Sequence, residues 1–70
     1  MDTVTRIFDI ARMLRKHEHF SATDVAEAHS VGVKTINRDM GLLRSLGWEI
    51  GFDSRARTYF LICAPKPTIF

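Results

Sequence analysis

A mainly α-helical fold with one small β-hairpin is predicted for this 70-residue chain by three observations. Residues 3 to about 17 and 33 to about 46 carry apolar side chains at helical spacing. Between them, residues 21–30 supply a cap, a helix too short to stand alone and a polar turn. After Gly47, residues 48–52 and 58–62 are rich in aromatic and β-branched side chains and flank a polar stretch at 53–57, the pattern of a hairpin.

In the first helix Val4, Ile7, Phe8, Ile10, Ala11 and Leu14 close onto one side and are expected to face the core. Asp2 or Thr3 can cap it, because a side-chain oxygen accepts from the orphan amides of the first turn. Arg12, Arg15 and Lys16 suit the negative end of its dipole. Residues 19–21 are too few for a helix and read as a brief extended segment with Phe20 turned inward.

Ser21 or Thr23 caps the second helix, Asp24 and Glu27 occupy its early turns, and Val25 and Ala26 face the core. Ala26 and Ala28 keep it slim enough for a second helix to cross closely. In the third helix Val33, Ile36, Met40, Leu43 and Leu46 form the inward stripe, and Gly47 supplies the stop. Asp39 falls on that inward arc, where an unpaired carboxylate is costly to bury, so it requires a partner, with Arg6 or backbone amides as the candidates. Three helices followed by a two- or three-stranded antiparallel sheet with a basic hairpin tip describe a winged helix-turn-helix. The domain is expected over residues 1–63, with an extended, proline-containing tail at 64–70.

Composition narrows the function classes. With 46% hydrophobic and 26% charged residues the chain is globular, and its core is small. It lacks an apolar signal core and a membrane-length apolar run, and the single Cys63 cannot form an internal disulfide, which fits a reducing cytoplasm. The formal net charge is only +2, but it is unevenly spread. Residues 1–32 hold four Lys or Arg against five Asp or Glu, whereas residues 33–70 hold six against three.

The excess cations fall where a helix-turn-helix meets DNA. At 100° per residue Lys34, Asn37, Arg38, Gly41 and Ser45 project away from the apolar stripe, with Thr35 and Arg44 on its flanks. Lys34, Asn37 and Arg38 lie in the first two turns and are the base-reading candidates, Asn suiting adenine and Arg guanine. Thr23, Thr35 and Arg44 are phosphate candidates, together with Arg55 and Arg57 of the wing, which can also reach a minor groove. Gly41 costs roughly 1 kcal/mol in a helix interior and would permit close approach of the sugar–phosphate backbone.

Ala26-Glu27, Val31, Thr35-Ile36 and Arg38-Asp39 resemble the DeoR-type pattern A-E-x-x-x-V-S-x-x-T-I-x-R-D, and Gly47 with Tyr59-Phe60-Leu61 resembles its G…Y-x-L hairpin. The resemblance spans roughly residues 4 to 62. It implies a transcriptional regulator, usually a repressor, in which Lys34, Thr35, Asn37 and Arg38 approach double-stranded DNA. The chain departs from the pattern at Gly32, which stands in place of the usual Ser cap. It also carries His29 for a core Leu and Ser30 for a turn Gly, so looser packing is expected around the turn. Larger DeoR-like regulators continue into an effector domain, so the sequence is expected to be either a fragment of such a regulator or a self-contained regulator of phage or plasmid type, and Met1 with a compact tail favours the second.

Rival chemistries have little support. His17, His19 and His29 fit no strong metal-ligand spacing, and neither a glycine-rich phosphate loop nor a nucleophile elbow occurs, so neither a metal, a cofactor nor catalysis is expected. The serious alternative is a winged-helix protein-interaction module acting through another regulator or an assembly partner; Trp48, Phe52, Ile69 and Phe70 mark its surface where they are exposed and are simply core where they are buried. A DNA reader this small covers one half-site, so a homodimer on a near-palindrome is expected, with the tail as the leading contact.

Overall fold

The computed structural model describes residues 3–65. Among these, the elements run α1 (Thr3–Arg15), α2 (Ala22–Ala28), α3 (Val33–Ser45), β1 (Glu49–Asp53) and β2 (Thr58–Cys63). The strands pair antiparallel, Phe52 opposite Tyr59 and Gly51 opposite Phe60, with an irregularity between Glu49 and Ile50. This is the mainly helical, winged-helix-like arrangement predicted. No helix among the described residues is long and apolar enough to cross a membrane.

The extended segment before α2 joins the sheet. Phe20 and Tyr59 form an antiparallel bridge, with Phe20 N donating to Tyr59 O at 3.2 Å and Tyr59 N to Phe20 O at 2.7 Å. Phe20 is buried as expected, so a single residue supplies the third strand's contribution to the sheet.

Each helix ends in the same way. At the end of α1, His17 N donates to Leu14 O and Glu18 N to Met13 O; after α2, Ser30 N donates to Glu27 O and Val31 N to Ala26 O; after α3, Gly47 N donates to Arg44 O and Trp48 N to Leu43 O. These are Schellman closures, each turning on one left-handed residue. Those residues are His17 (φ 58°), Ser30 (φ 55°) and Gly47 (φ 101°), so glycine serves only once. The left-handed stop at His17 explains why α1 ends at Arg15, short of the predicted boundary. The turn around Ser30 is closed by both bonds and is not loose.

Ile10, Leu14, Ile36, Met40, Leu43 and Trp48 are the fully buried centre, with Phe20, Val25, Ala26, Ile50 and Tyr59 around them. The predicted apolar stripes were too wide. Val4 (63% exposed) and Phe8 (48%) on α1, Val33 (41%) on α3 and Leu46 at its C-cap stay at the surface, because two short neighbours and a two-stranded sheet cover only a narrow strip of each helix. Asp2 lies outside the described residues and Thr3 is already helical, so the predicted α1 cap is not seen at Thr3. Ser21, not Thr23, caps α2: its Oγ accepts from Asp24 N at 3.0 Å.

Two polar pairs are built into the helical layer. Arg6 is buried and grips Asp39 through Nε to Oδ2 and through Nη2 to Oδ1 at 3.1 Å, the partner expected from the inward position of Asp39. His29 is buried too, its ring Nε2–H donating to Asp9 Oδ2 at 2.8 Å, while Arg12 pairs with the other oxygen of Asp9. Position 29 is therefore tied across to α1 by a hydrogen bond where an apolar side chain would pack. Ala64 packs against the core and the Pro65 ring lies over Gly47, so the first two residues of the predicted tail belong to the domain; residues 66–70, including Ile69 and Phe70, lie outside the described residues.

Candidate nucleic-acid interface

The candidate surface is built from the amino end of α3, the beginning of α2 and the wing. Gly32 caps α3 without a side-chain hydrogen bond, its carbonyl accepting from Thr35 N (3.1 Å) and Ile36 N (3.4 Å). From this start the first two turns carry Lys34, Asn37 and Arg38 outward, all exposed, with Thr35 half-buried beside them. The side chains of Lys34 and Arg38 make no hydrogen bond or ion pair among the described residues. They are available cations on a rigid element, and the carboxylate between them and Met40, that of Asp39, is turned inward and neutralised by Arg6.

The wing has internal order. Asp53 Oδ1 accepts from Arg55 N at 2.9 Å and Ala56 N at 3.3 Å, an Asx turn that sets the tip, and Arg57 takes a left-handed conformation (φ 57°) to return the chain into β2. The Arg55 and Arg57 side chains are exposed. Between the wing and the helices lies a groove of about 270 Å³ lined by Thr23, Val33, Asn37, Phe52, Arg57 and Tyr59, among others. Residues from α2, α3 and the wing that were selected separately from the sequence thus share one concavity. Lys34 and Arg38 flank Asn37 on the same helix face, while Arg55 stands at the wing tip.

Two candidates have internal roles. Arg44 donates from Nη2 to Ile50 O at 3.2 Å and lies over the Tyr59 ring at 5.9 Å, so its guanidinium braces α3 against the hairpin. Asn37 accepts through Oδ1 from the Tyr59 hydroxyl at 2.9 Å. Nothing in the local sequence signals that bond, which joins residues 22 positions apart.

The two described marker residues of the protein-interaction alternative divide, one buried and one exposed. Trp48 is buried beneath the Arg15 guanidinium, 5.7 Å from its ring centroid, and is core rather than an outer partner group. Phe52 is 50% exposed and forms a wall of the groove, as does Val33. Gly41 lies on the outward face of α3 with open space where a Cβ would stand. Comparison with protein-family models, curated proteins and solved structures finds no match to this chain.

Proposed function

We propose that this chain binds double-stranded DNA sequence-specifically and acts as a transcriptional regulator, a repressor by its DeoR-like pattern. In this reading α3 enters the major groove, and the wing at residues 53–57 lies on the backbone or in the adjacent minor groove. One observation carries it. The α3 face with Lys34 and Arg38, unpaired among the described residues, borders a groove shared with Thr23 of α2 and Arg57 of the wing, so groups suited to bases and groups suited to phosphates converge on one side. Thr35, Arg55 and Arg57 serve the backbone, and Lys34, Asn37 and Arg38 serve the base edges.

The test is titration into random duplexes at several salt concentrations, with sequencing of the bound fraction, for the wild type and Arg38→Ala. Contact with about four to six phosphates gives a slope of log K on log salt of roughly −4 to −5, and loss of Arg38 blurs the selected motif. Binding too weak to detect at low salt, or binding that selects no sequence, refutes the reading.

A second reading is favoured by the exposed Val4 and Phe8 of α1, beside a groove of about 550 Å³ that also includes Ala11 and Arg15. An apolar surface on the side of a helix serves a protein partner, either a second copy in a dimer or another regulator. Arg38→Glu separates the two: it abolishes DNA binding and leaves an apolar protein contact nearly intact.

A further inference from the structure

The groove between α3 and the wing is lined by chemically different groups. Among them, the Asn37 amide is held by its oxygen, which accepts from Tyr59. Tyr59 is itself fixed: its main chain exchanges both hydrogen bonds with Phe20, and its ring packs against Phe20 and Phe52, with centroids 6.1 and 5.0 Å away. A planar amide anchored through Oδ1 offers its NH2 group, and Nδ2 of Asn37 has no partner among the described residues. Val33, one turn before Asn37 on α3, and Phe52 of β1 supply apolar lining in the same groove.

A donor beside an apolar wall is the complement of an acceptor beside a methyl group. Of the four bases, thymine alone presents that pair on its major-groove edge, O4 next to the C5-methyl. Guanine offers acceptors but no methyl. Cytosine opposes the amide with its own N4 donor. Adenine is read bidentately by an asparagine whose oxygen and nitrogen both face the base edge, and here the bond from Tyr59 turns the oxygen toward the hairpin.

Resting on the DNA-reading function above, we infer that Asn37 and Phe52 form a thymine-reading site. Asn37 Nδ2 donates to O4, Phe52 and Val33 pack on the 5-methyl group, and Tyr59 is the positioning residue that sets the amide. The adenine preference expected of an asparagine from its side-chain type alone is redirected by a bond from the hairpin.

The experiment uses the whole chain and the duplex selected from the random pool. Each thymine is replaced in turn by uracil, which removes only the methyl, or by 5-methylcytosine paired with guanine, which keeps the methyl and turns the acceptor into a donor. At one position uracil weakens binding about fourfold, the worth of one buried methyl group, and 5-methylcytosine weakens it tenfold or more. Phe52→Ala shrinks the uracil penalty to what Val33 alone sustains and still rejects 5-methylcytosine. Asn37→Ala accepts 5-methylcytosine and still prefers thymine to uracil. Tyr59→Phe, which keeps the ring and frees the amide oxygen, moves the preference at that position toward adenine. Uracil without effect at every thymine, or a uracil penalty that Phe52→Ala leaves undiminished, overturns the inference while leaving a sequence-specific reader. A chain that selects no sequence overturns the DNA-reading function as well.

Discussion

Arg6 of α1 and Asp39 of α3, 33 residues apart, form a buried two-pronged ion pair that fixes the first helix to the inner face of the candidate reading helix. Both side chains are less than a tenth exposed. Removing one partner strands a charge in the interior, which costs about 3–5 kcal/mol, whereas replacing both by apolar groups of similar size is near neutral. Arg6→Ala and Asp39→Ala are therefore each expected to unfold much of a domain whose total stability is about 5 kcal/mol or little more. Arg6→Met combined with Asp39→Leu recovers most of the loss. Urea titrations followed by circular dichroism measure all three, and a loss below about 1 kcal/mol in either single variant would show that the pair is solvated and weak.

The three Schellman closures predict a gain in stability. Ser30 and His17 take left-handed backbone at a conformational cost that glycine does not bear, and Gly47 at the equivalent place after α3 already avoids it. Ser30→Gly and His17→Gly are each expected to stabilise by about 0.5–1 kcal/mol net of glycine's greater unfolded-state entropy, or roughly 4 °C in melting temperature. Thermal melts of the two variants decide it; an unchanged or lower midpoint would mean that the native side chains supply an offsetting interaction.

What the sequence discloses follows from how local each signal is. The Gly47 stop was legible because glycine marks a left-handed residue, while the same stops at His17 and Ser30 carry no such mark. The need of Asp39 for a partner was legible from its phase on the helix, whereas the choice of Arg6 over backbone amides was settled only by the packing of α1 on α3. Helical phase could not say that Val4, Phe8 and Val33 stay exposed, since that depends on how far the neighbouring elements extend. Nor could it find the bonds of Tyr59 to Asn37 and Arg44 to Ile50, which exist only once the hairpin folds back on α3. The outward groups were identifiable; which of them the fold itself engages was not.

Those engagements separate two arginines of one helix. Arg44 is committed to Ile50 O and the Tyr59 ring, and Arg38 makes no contact of this kind among the described residues. Arg44→Ala is expected to lose about 1 kcal/mol of stability, the worth of a part-exposed charged hydrogen bond, with little change in the salt slope of DNA binding. Arg38→Ala should leave stability within about 0.5 kcal/mol and weaken DNA binding markedly. Paired melts and salt titrations test this, and the reverse pattern would return Arg44 to the phosphate contacts and remove Arg38 from the interface.

Gly41 poses a choice between stability and binding that one substitution resolves. It lies in the interior of α3, where alanine is better by about 1 kcal/mol, and the space a Cβ would occupy is open, so no steric reason within the described residues requires glycine. It also stands one turn beyond Asn37 on the outward face, where an approaching sugar–phosphate chain would meet the helix backbone. Gly41→Ala is accordingly expected to raise the melting temperature by about 4–8 °C and to lower DNA affinity, because the added methyl holds the helix away from the duplex. A melt and a binding titration on the same preparation read both effects. Higher stability with unchanged affinity would mean that the backbone at Gly41 stays clear of DNA, and α3 would then have to enter the groove by its first two turns alone.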